Sequence, residues 1–137
     1  MHTLLITGGA GFIGSNFVHY VLAHTSYRLV VVDKLTYAGS LLNIEQAIAD
    51  PRVTFVEADI ADRPAMSRLF TANRPHAVVN LAAETHVDRS IDGPEPFINT
   101  NVVGTCVLLD VANAFLATES ETARERFRFL HVSTDEV

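Results

Sequence analysis

Short apolar runs and longer amphipathic stretches take turns along this chain. Thr3-Leu4-Leu5-Ile6-Thr7 is a continuous aliphatic run ending on glycines, which predicts a buried strand. From about Phe12 to His24 the residues Ile13, Phe17, Val18, Val21 and Leu22 recur at helical spacing and form the face expected to be buried. Leu29 to Asp33 predicts a second strand, closed by a carboxylate, and Ser40 to Ala49 a short helix stopped by Asp50-Pro51. Val53 to Glu57 predicts a third strand. Asp62 can then cap a helix that tolerates Pro64 in its first turn and runs to about Asn73. Ala77 to Leu81 and Phe127 to Val132 predict strands four and five. Between them, roughly Glu95 to Ala117 reads as one long helix carrying Ile98, Val102, Cys106, Leu109, Val111 and Phe115.

Strands that are almost wholly apolar and alternate with helices imply a parallel sheet covered on both faces. Right-handed crossovers then give an α/β, doubly wound sheet, most simply in the order 3-2-1-4-5. The chain has 137 residues, enough for one core, so residues 1–137 are expected to form one domain.

Composition narrows the function classes. Hydrophobic residues make up 48% and charged residues 19%, the profile of an ordinary folded domain and not of a disordered or low-complexity chain. Ten basic against sixteen acidic residues leave a net charge of −6, a poor match to a phosphate backbone, so no nucleic-acid partner is expected. Arg124, Arg126 and Arg128 interleave with Glu119, Glu121 and Glu125 and read as a solvated face. One cysteine, Cys106, allows no internal disulfide and fits a reducing compartment. Its helical phase predicts that it faces inward as a small hydrophobe. No apolar run is long enough to span a bilayer, and no basic residue precedes Arg28, so neither a membrane partner nor a secretory leader is expected. The expected location is cytoplasmic. No metal-ligand spacing occurs among the histidines, and His86 reads as a loop hydrogen-bonder. No G-x-S-x-G elbow is present, which removes the simplest hydrolase reading.

The chemistry concentrates at strand ends. Gly9-Ala10-Gly11-Phe12-Ile13-Gly14 fits G-x-G-x-x-G, and Gly8, Gly11 and Gly14 fit the G-x-x-G-x-x-G variant. The motif follows a predicted strand and opens a predicted helix, and Asp33 stands 19 residues beyond Gly14 at the next strand end. This is the arrangement of a Rossmann dinucleotide site. Glycines permit a tight turn and close approach of a pyrophosphate, and the helix N-terminus offers free N–H groups and partial positive charge. Asp33 can accept both adenine-ribose hydroxyls and would repel a 2′-phosphate, which favours NAD over NADP; Lys34 could partly offset that repulsion. Asp59-Ile60 would lie at the adenine edge, or Asp59 is a turn or capping aspartate. Leu81-Ala82-Ala83 ends strand four with small residues that leave room for a cofactor, or that simply pack. At the last strand end, Asp135 and Glu136 form an acidic pair on the ligand side of such a sheet. The pair could divide general-acid and general-base roles, but neighbours on a regular strand face opposite ways, and taken alone the pair reads rather as an ordinary polar strand-to-loop junction.

Thr7-Gly8-Gly9-Ala10-Gly11-Phe12-Ile13-Gly14 resembles the extended short-chain dehydrogenase/reductase family. The further segments Asp33-Lys34-Leu35-Thr36-Tyr37-Ala38-Gly39, Leu81 to Ser90, Asn99-Thr100-Asn101 and Ser133-Thr134-Asp135-Glu136-Val137 resemble its sugar-nucleotide 4,6-dehydratases, lyases of deoxysugar biosynthesis. The resemblance covers nearly all of this chain but only the first part of such an enzyme. It implies a retained NAD held by Phe12, Ile13, Asp33, Lys34, Leu35, Thr36, Asp59, Ile60, Leu81, Ala82, Ala83, Glu84, Thr85 and Thr100. It implies a dTDP-glucose substrate near Thr85 and Thr134. Oxidation at sugar carbon 4 acidifies the proton on carbon 5; Glu136 would take that proton while Asp135 protonates the departing hydroxyl of carbon 6. The hydride then returns to carbon 6, giving a 4-keto-6-deoxy sugar nucleotide, with Thr134 hydrogen-bonded to the carbon 4 oxygen. The family counterpart of the Glu95–Ala117 helix contributes to a homodimer.

One expected element is missing from these residues. Such enzymes need a tyrosine four positions before a lysine, yet the only lysine is Lys34, and Tyr20, Tyr27 and Tyr37 are followed at that spacing by His24, Val31 and Leu41. The sixth strand and the sugar-nucleotide domain are not represented either. The expectation is therefore a fragment that binds NAD without completing the reaction. A related epimerase would replace the acidic pair by small or hydroxyl residues, and a non-catalytic NAD-binding module would need no Tyr–Lys pair.

Overall fold

The computed structural model describes residues 2–35, 40–83 and 93–133, and of Phe97 the backbone alone. Five strands, β1 (Thr3–Thr7), β2 (Arg28–Asp33), β3 (Val53–Glu57), β4 (Ala77–Asn80) and β5 (Arg128–His131), form one sheet in the order β3-β2-β1-β4-β5. Every neighbouring pair is parallel, with Leu5 opposite Val30 and Val78, and Val78 opposite Phe129. The expected strand order is the one observed.

Strand alternation divides the core into two layers. Leu4, Ile6, Leu29 and Val31 point to one face and pack with Val18 and Val21 of helix α1 (Phe12–His24). Ile44 and Ala47 complete that layer, from a 3₁₀ turn (Leu41–Ile44) running into α2 (Glu45–Ile48). Leu5, Val30, Val32 and Val78 point to the other face, against Met66 and Phe70 of α3 (Arg63–Asn73). Asp62 caps α3 as expected, its Oδ1 accepting the Ala65 N–H at 3.1 Å.

The long helix is continuous but not regular. Its parts are α4 (Glu95–Ile98), a π-helical segment (Asn99–Gly104) and α5 (Thr105–Leu116). A π turn rotates the residues that follow it, so no single 3.6-residue stripe runs through the whole length. Val107, Leu108, Val111 and Ala112 are therefore the buried face of α5, and Cys106 is exposed, contrary to the inward position expected from uninterrupted phase. Ile98 and Leu109 are exposed too, and Val102 is 62% exposed. Phe115 packs on the core edge-on to Phe70.

Ile13 is a second correction. It was expected in the buried face of α1, yet it is 67% exposed. The buried face begins one residue later, at Gly14 and Ser15, where Gly14 lies tight against the Gly8 carbonyl, and continues through Val18 and Val21. Burial of the sheet is also uneven. β1 is buried throughout, whereas β5 is an edge with Leu130 55% exposed. A short helix, α6 (Glu121–Arg126), precedes β5 where none was expected; it buries no residue, in keeping with a solvated charged face. Among the described residues no helix is long and apolar enough to cross a membrane.

Candidate dinucleotide site

The carboxyl end of β1 turns sharply into α1. Gly8 has φ +71°, a conformation that L side chains rarely adopt. A Cβ there would also lie 2.6 Å from the Leu81 carbonyl and the Ala82 nitrogen, so the turn rests directly on the end of β4. A Cβ at Gly14 would come within 2.0 Å of the Gly8 carbonyl oxygen. The folded chain itself thus demands glycine at both positions. Gly11 is different: a Cβ there would meet only the Gly8 oxygen, at 3.5 Å, an ordinary contact. Space over Gly11 is open, as the approach of a bulky anion would require. Gly11 is also the N-cap of α1, without a side-chain cap and with no acidic residue in the first turn. The first N–H groups of this 13-residue helix therefore have no side-chain cap and no carboxylate within their own turn.

Asp33 closes the site from the end of β2. Its Oδ2 accepts the Ala10 N–H at 2.9 Å and its Oδ1 the Leu35 N–H at 2.8 Å. One bond per oxygen leaves lone pairs on both for a diol. Leu35 holds its place with φ 56°, a strained value for a residue with a side chain. Ala10 is fully enclosed, and its carbonyl accepts from Asn43 Nδ2 at 2.8 Å and from the Ser40 N–H at 3.2 Å. The glycine turn is thus pinned from β2 and from the 3₁₀ turn together.

Beside it lies a second cluster. Lys34 Nζ donates to Thr100 Oγ1 at 3.1 Å and stands 3.9 Å from Asp59 Oδ2. Asp59 Oδ1 also accepts the Ala61 N–H at 2.9 Å, as the turn reading of this aspartate expected. Ile60 is 3% exposed and belongs to the core. Its Cγ1 would be 2.6 Å from a Cβ at Gly104, so glycine lets the π segment approach the end of β3 and bring Thr100, itself buried, within reach of Lys34.

A polar line links the other strand ends. Thr7 Oγ1 donates to Asn80 Oδ1 at 2.5 Å, and Asn80 Nδ2 lies 3.1 Å from His131 Nδ1. Leu81 and Ala82 follow, each half-buried against one core layer, with Ala83 beyond them. The structure thus gathers Gly8, Gly11, Phe12, Ile13, Gly14, Asp33, Leu35, Leu81, Ala82 and Ala83 at one end of the sheet, with Lys34, Asp59 and Thr100 adjoining. Phe12 and Ile13 stand exposed at its mouth. Thr36, Glu84, Thr85, Thr134, Asp135 and Glu136 lie outside the described residues. Reasoning from the sequence missed Ala10 and Asn43 as the pins of the turn; a backbone N–H and a solitary asparagine leave no pattern to read.

Residues 5–137 match the GDP-mannose 4,6 dehydratase family. A dTDP-glucose 4,6-dehydratase of Shigella flexneri is 51% identical over 134 residues, which is 98% of this chain and 37% of that protein. Among solved structures, dTDP-glucose 4,6-dehydratase of Bacillus anthracis in complex with NAD superposes with a TM-score of 0.81 at 35% identity, covering 100% of this chain and 39% of that one. The Streptomyces venezuelae enzyme of the same name, with NAD bound, gives a TM-score of 0.78 at 46% identity over 82% of this chain and 36% of its own. The chain spans somewhat over a third of the length of these relatives. With sheet order, glycine turn and strand-end carboxylate all in place, this chain belongs to the GDP-mannose 4,6 dehydratase family.

Proposed function

We propose that this chain is the NAD-binding part, with some of the catalytic groups, of a dTDP-glucose 4,6-dehydratase. The observation that carries the reading is the Asp33 carboxylate, fixed by Ala10 and Leu35 beside an uncapped helix N-terminus with open space over Gly11. That arrangement suits a ribose diol joined to a pyrophosphate. NAD bound there supplies a hydride acceptor for sugar carbon 4 and the donor that later reduces carbon 6.

The remaining work falls to side chains. β5 runs parallel to β4, so Ser133 leaves the sheet at the same end as the glycine turn. In sequence it is followed by Thr134, Asp135 and Glu136. Glu136 removes the carbon 5 proton, Asp135 protonates the leaving hydroxyl of carbon 6, and Thr134 holds the carbon 4 oxygen. Thr85 completes the sugar contacts. The acidic pair favours dehydration over epimerisation, which has no leaving hydroxyl to protonate. No tyrosine stands four residues before a lysine within these 137 residues, so the base for the carbon 4 hydroxyl is not among them.

A second copy is the proposed protein partner. Ile98, Val102, Cys106 and Leu109 are each exposed along α4, the π segment and α5, and mostly apolar exposure of this kind is what self-association covers. The cytoplasm is the proposed location, where the one cysteine stays reduced.

Titration of the pure 137-residue chain with NAD, followed by incubation with dTDP-glucose, tests the reading. Binding of NAD without formation of the 4-keto-6-deoxy product is expected. Turnover by this chain alone would refute the assignment of the missing base, and lack of NAD binding would refute the site.

A further inference from the structure

We propose that Lys34 is a tethered cation, and that its restraint by Thr100 and Asp59 makes the site reject a dinucleotide carrying a 2′-phosphate. The inference rests on the dinucleotide reading and deepens it, because the acid at Asp33 alone is not a sufficient discriminator. An ammonium on a flexible four-carbon stem stands at the very next position, and such a group is a ready counter-ion for a phosphate.

The structure shows where that ammonium is committed. Asp33 and Lys34 are consecutive at a strand end, so their side chains leave on opposite sides. Asp33 faces the glycine turn through Ala10, whereas Lys34 reaches the π segment at Thr100 and the end of β3 at Asp59. To neutralise a 2′-phosphate beside Asp33, Lys34 would have to abandon both partners. Thr100 is only 4% exposed, so its hydroxyl would lose a charged donor in a place where water has little access. Asp59 would lose its neighbouring cation. The close approach at Gly104 sets the height of the π segment and hence the reach of Thr100. Selectivity at the ribose is in this way fixed partly by a helix packed on the other face of the sheet.

The test is the ratio of dissociation constants for NADP and NAD, measured calorimetrically on the full chain. Native protein, Thr100→Val and Asp59→Asn are compared, each also combined with Lys34→Met. Asn at position 59 keeps an acceptor for the Ala61 N–H, so it reports on the tether should the valine variant fold poorly. Either single substitution is expected to narrow the NADP/NAD ratio by roughly five- to tenfold, the size of a newly available charged contact. Adding Lys34→Met should remove that gain. An unchanged ratio in both single variants overturns the inference, as does a narrowing that survives Lys34→Met. Failure of the native chain to bind either dinucleotide overturns the site reading and this inference together, whereas an unchanged ratio with NAD still bound overturns only the inference.

Discussion

Asp33 and Ala10, 23 residues apart, are joined by a 2.9 Å hydrogen bond from the backbone N–H of the glycine turn to the carboxylate at the end of β2. One side chain therefore both shapes the glycine turn and, in the proposed site, is the group that would meet the ribose. Asp33→Ala should lower NAD affinity by roughly tenfold or more and also cost about 1–3 kcal/mol of stability, because the N–H groups of enclosed Ala10 and half-buried Leu35 lose their acceptor. Urea unfolding alongside an NAD titration separates the two losses. Asp33→Asn keeps an acceptor oxygen and should recover part of the stability.

Gly14 and Gly11 should behave oppositely. Gly14→Ala forces a methyl onto the Gly8 carbonyl and should lower yield and thermal midpoint sharply. Gly11→Ala meets only an ordinary contact and should cost no more than about 1 kcal/mol, as an alanine N-cap does. Its NAD affinity should nonetheless fall by roughly tenfold or more, because the methyl enters the space where the pyrophosphate approaches. Equal NAD affinity in Gly11→Ala and native protein would count against the site.

His76 should make stability fall as the pH drops. Its Nδ1 faces inward to accept the Thr3 N–H at 2.9 Å, which requires the neutral ring. Burial, and then the nearby His2 and N-terminal amine, hold its pKa below the ordinary value of 6.5. The unfolded chain thus takes up the proton more readily than the folded one, so stability is full above 6.5 and declines between that value and the lower folded one. The ring is partly exposed, so the effect is small. Urea midpoints at pH 7.5 and 5.5 should differ less in His76→Asn, which keeps an acceptor, than in native protein.

Val102→Glu places a charge among the exposed apolar residues of the long helix. Sedimentation should show native protein sedimenting as a dimer and the variant as a monomer, with an unchanged far-ultraviolet spectrum. A native monomer at tens of micromolar would remove the proposed partner.

The central strands were legible because β1 and β2 are apolar on both faces and nothing else in the chain competes for that burial. The glycine turn and Asp33 were legible because the fold leaves no room for a Cβ at Gly8 or Gly14 and brings the carboxylate at the end of β2 onto the turn. Ile13 and Cys106 were not, for a common reason. Helical phase in the fold depends on what a helix packs against and on any turn inserted within it, and neither the contact of Gly14 with the glycine turn nor the π segment has a composition of its own. Thr100 carried no chemical signal by itself; its nearness to Lys34 follows from Gly104, four residues on, meeting Ile60 from another element.

Gly8 sits against the backbone of Leu81 and Ala82, and Thr7 bonds Asn80, 73 residues later. The motif near the start of the chain is therefore not finished by its own strand, turn and helix. As the polypeptide is synthesised, β1, α1 and β2 emerge first, yet the floor of the turn arrives only when β4 docks beside β1. A peptide ending before residue 80 would carry every glycine of the motif and still lack the surface that holds Gly8 in its left-handed turn. The turn is in this sense completed by the chain's second half, and its geometry is expected only once the fourth strand has paired.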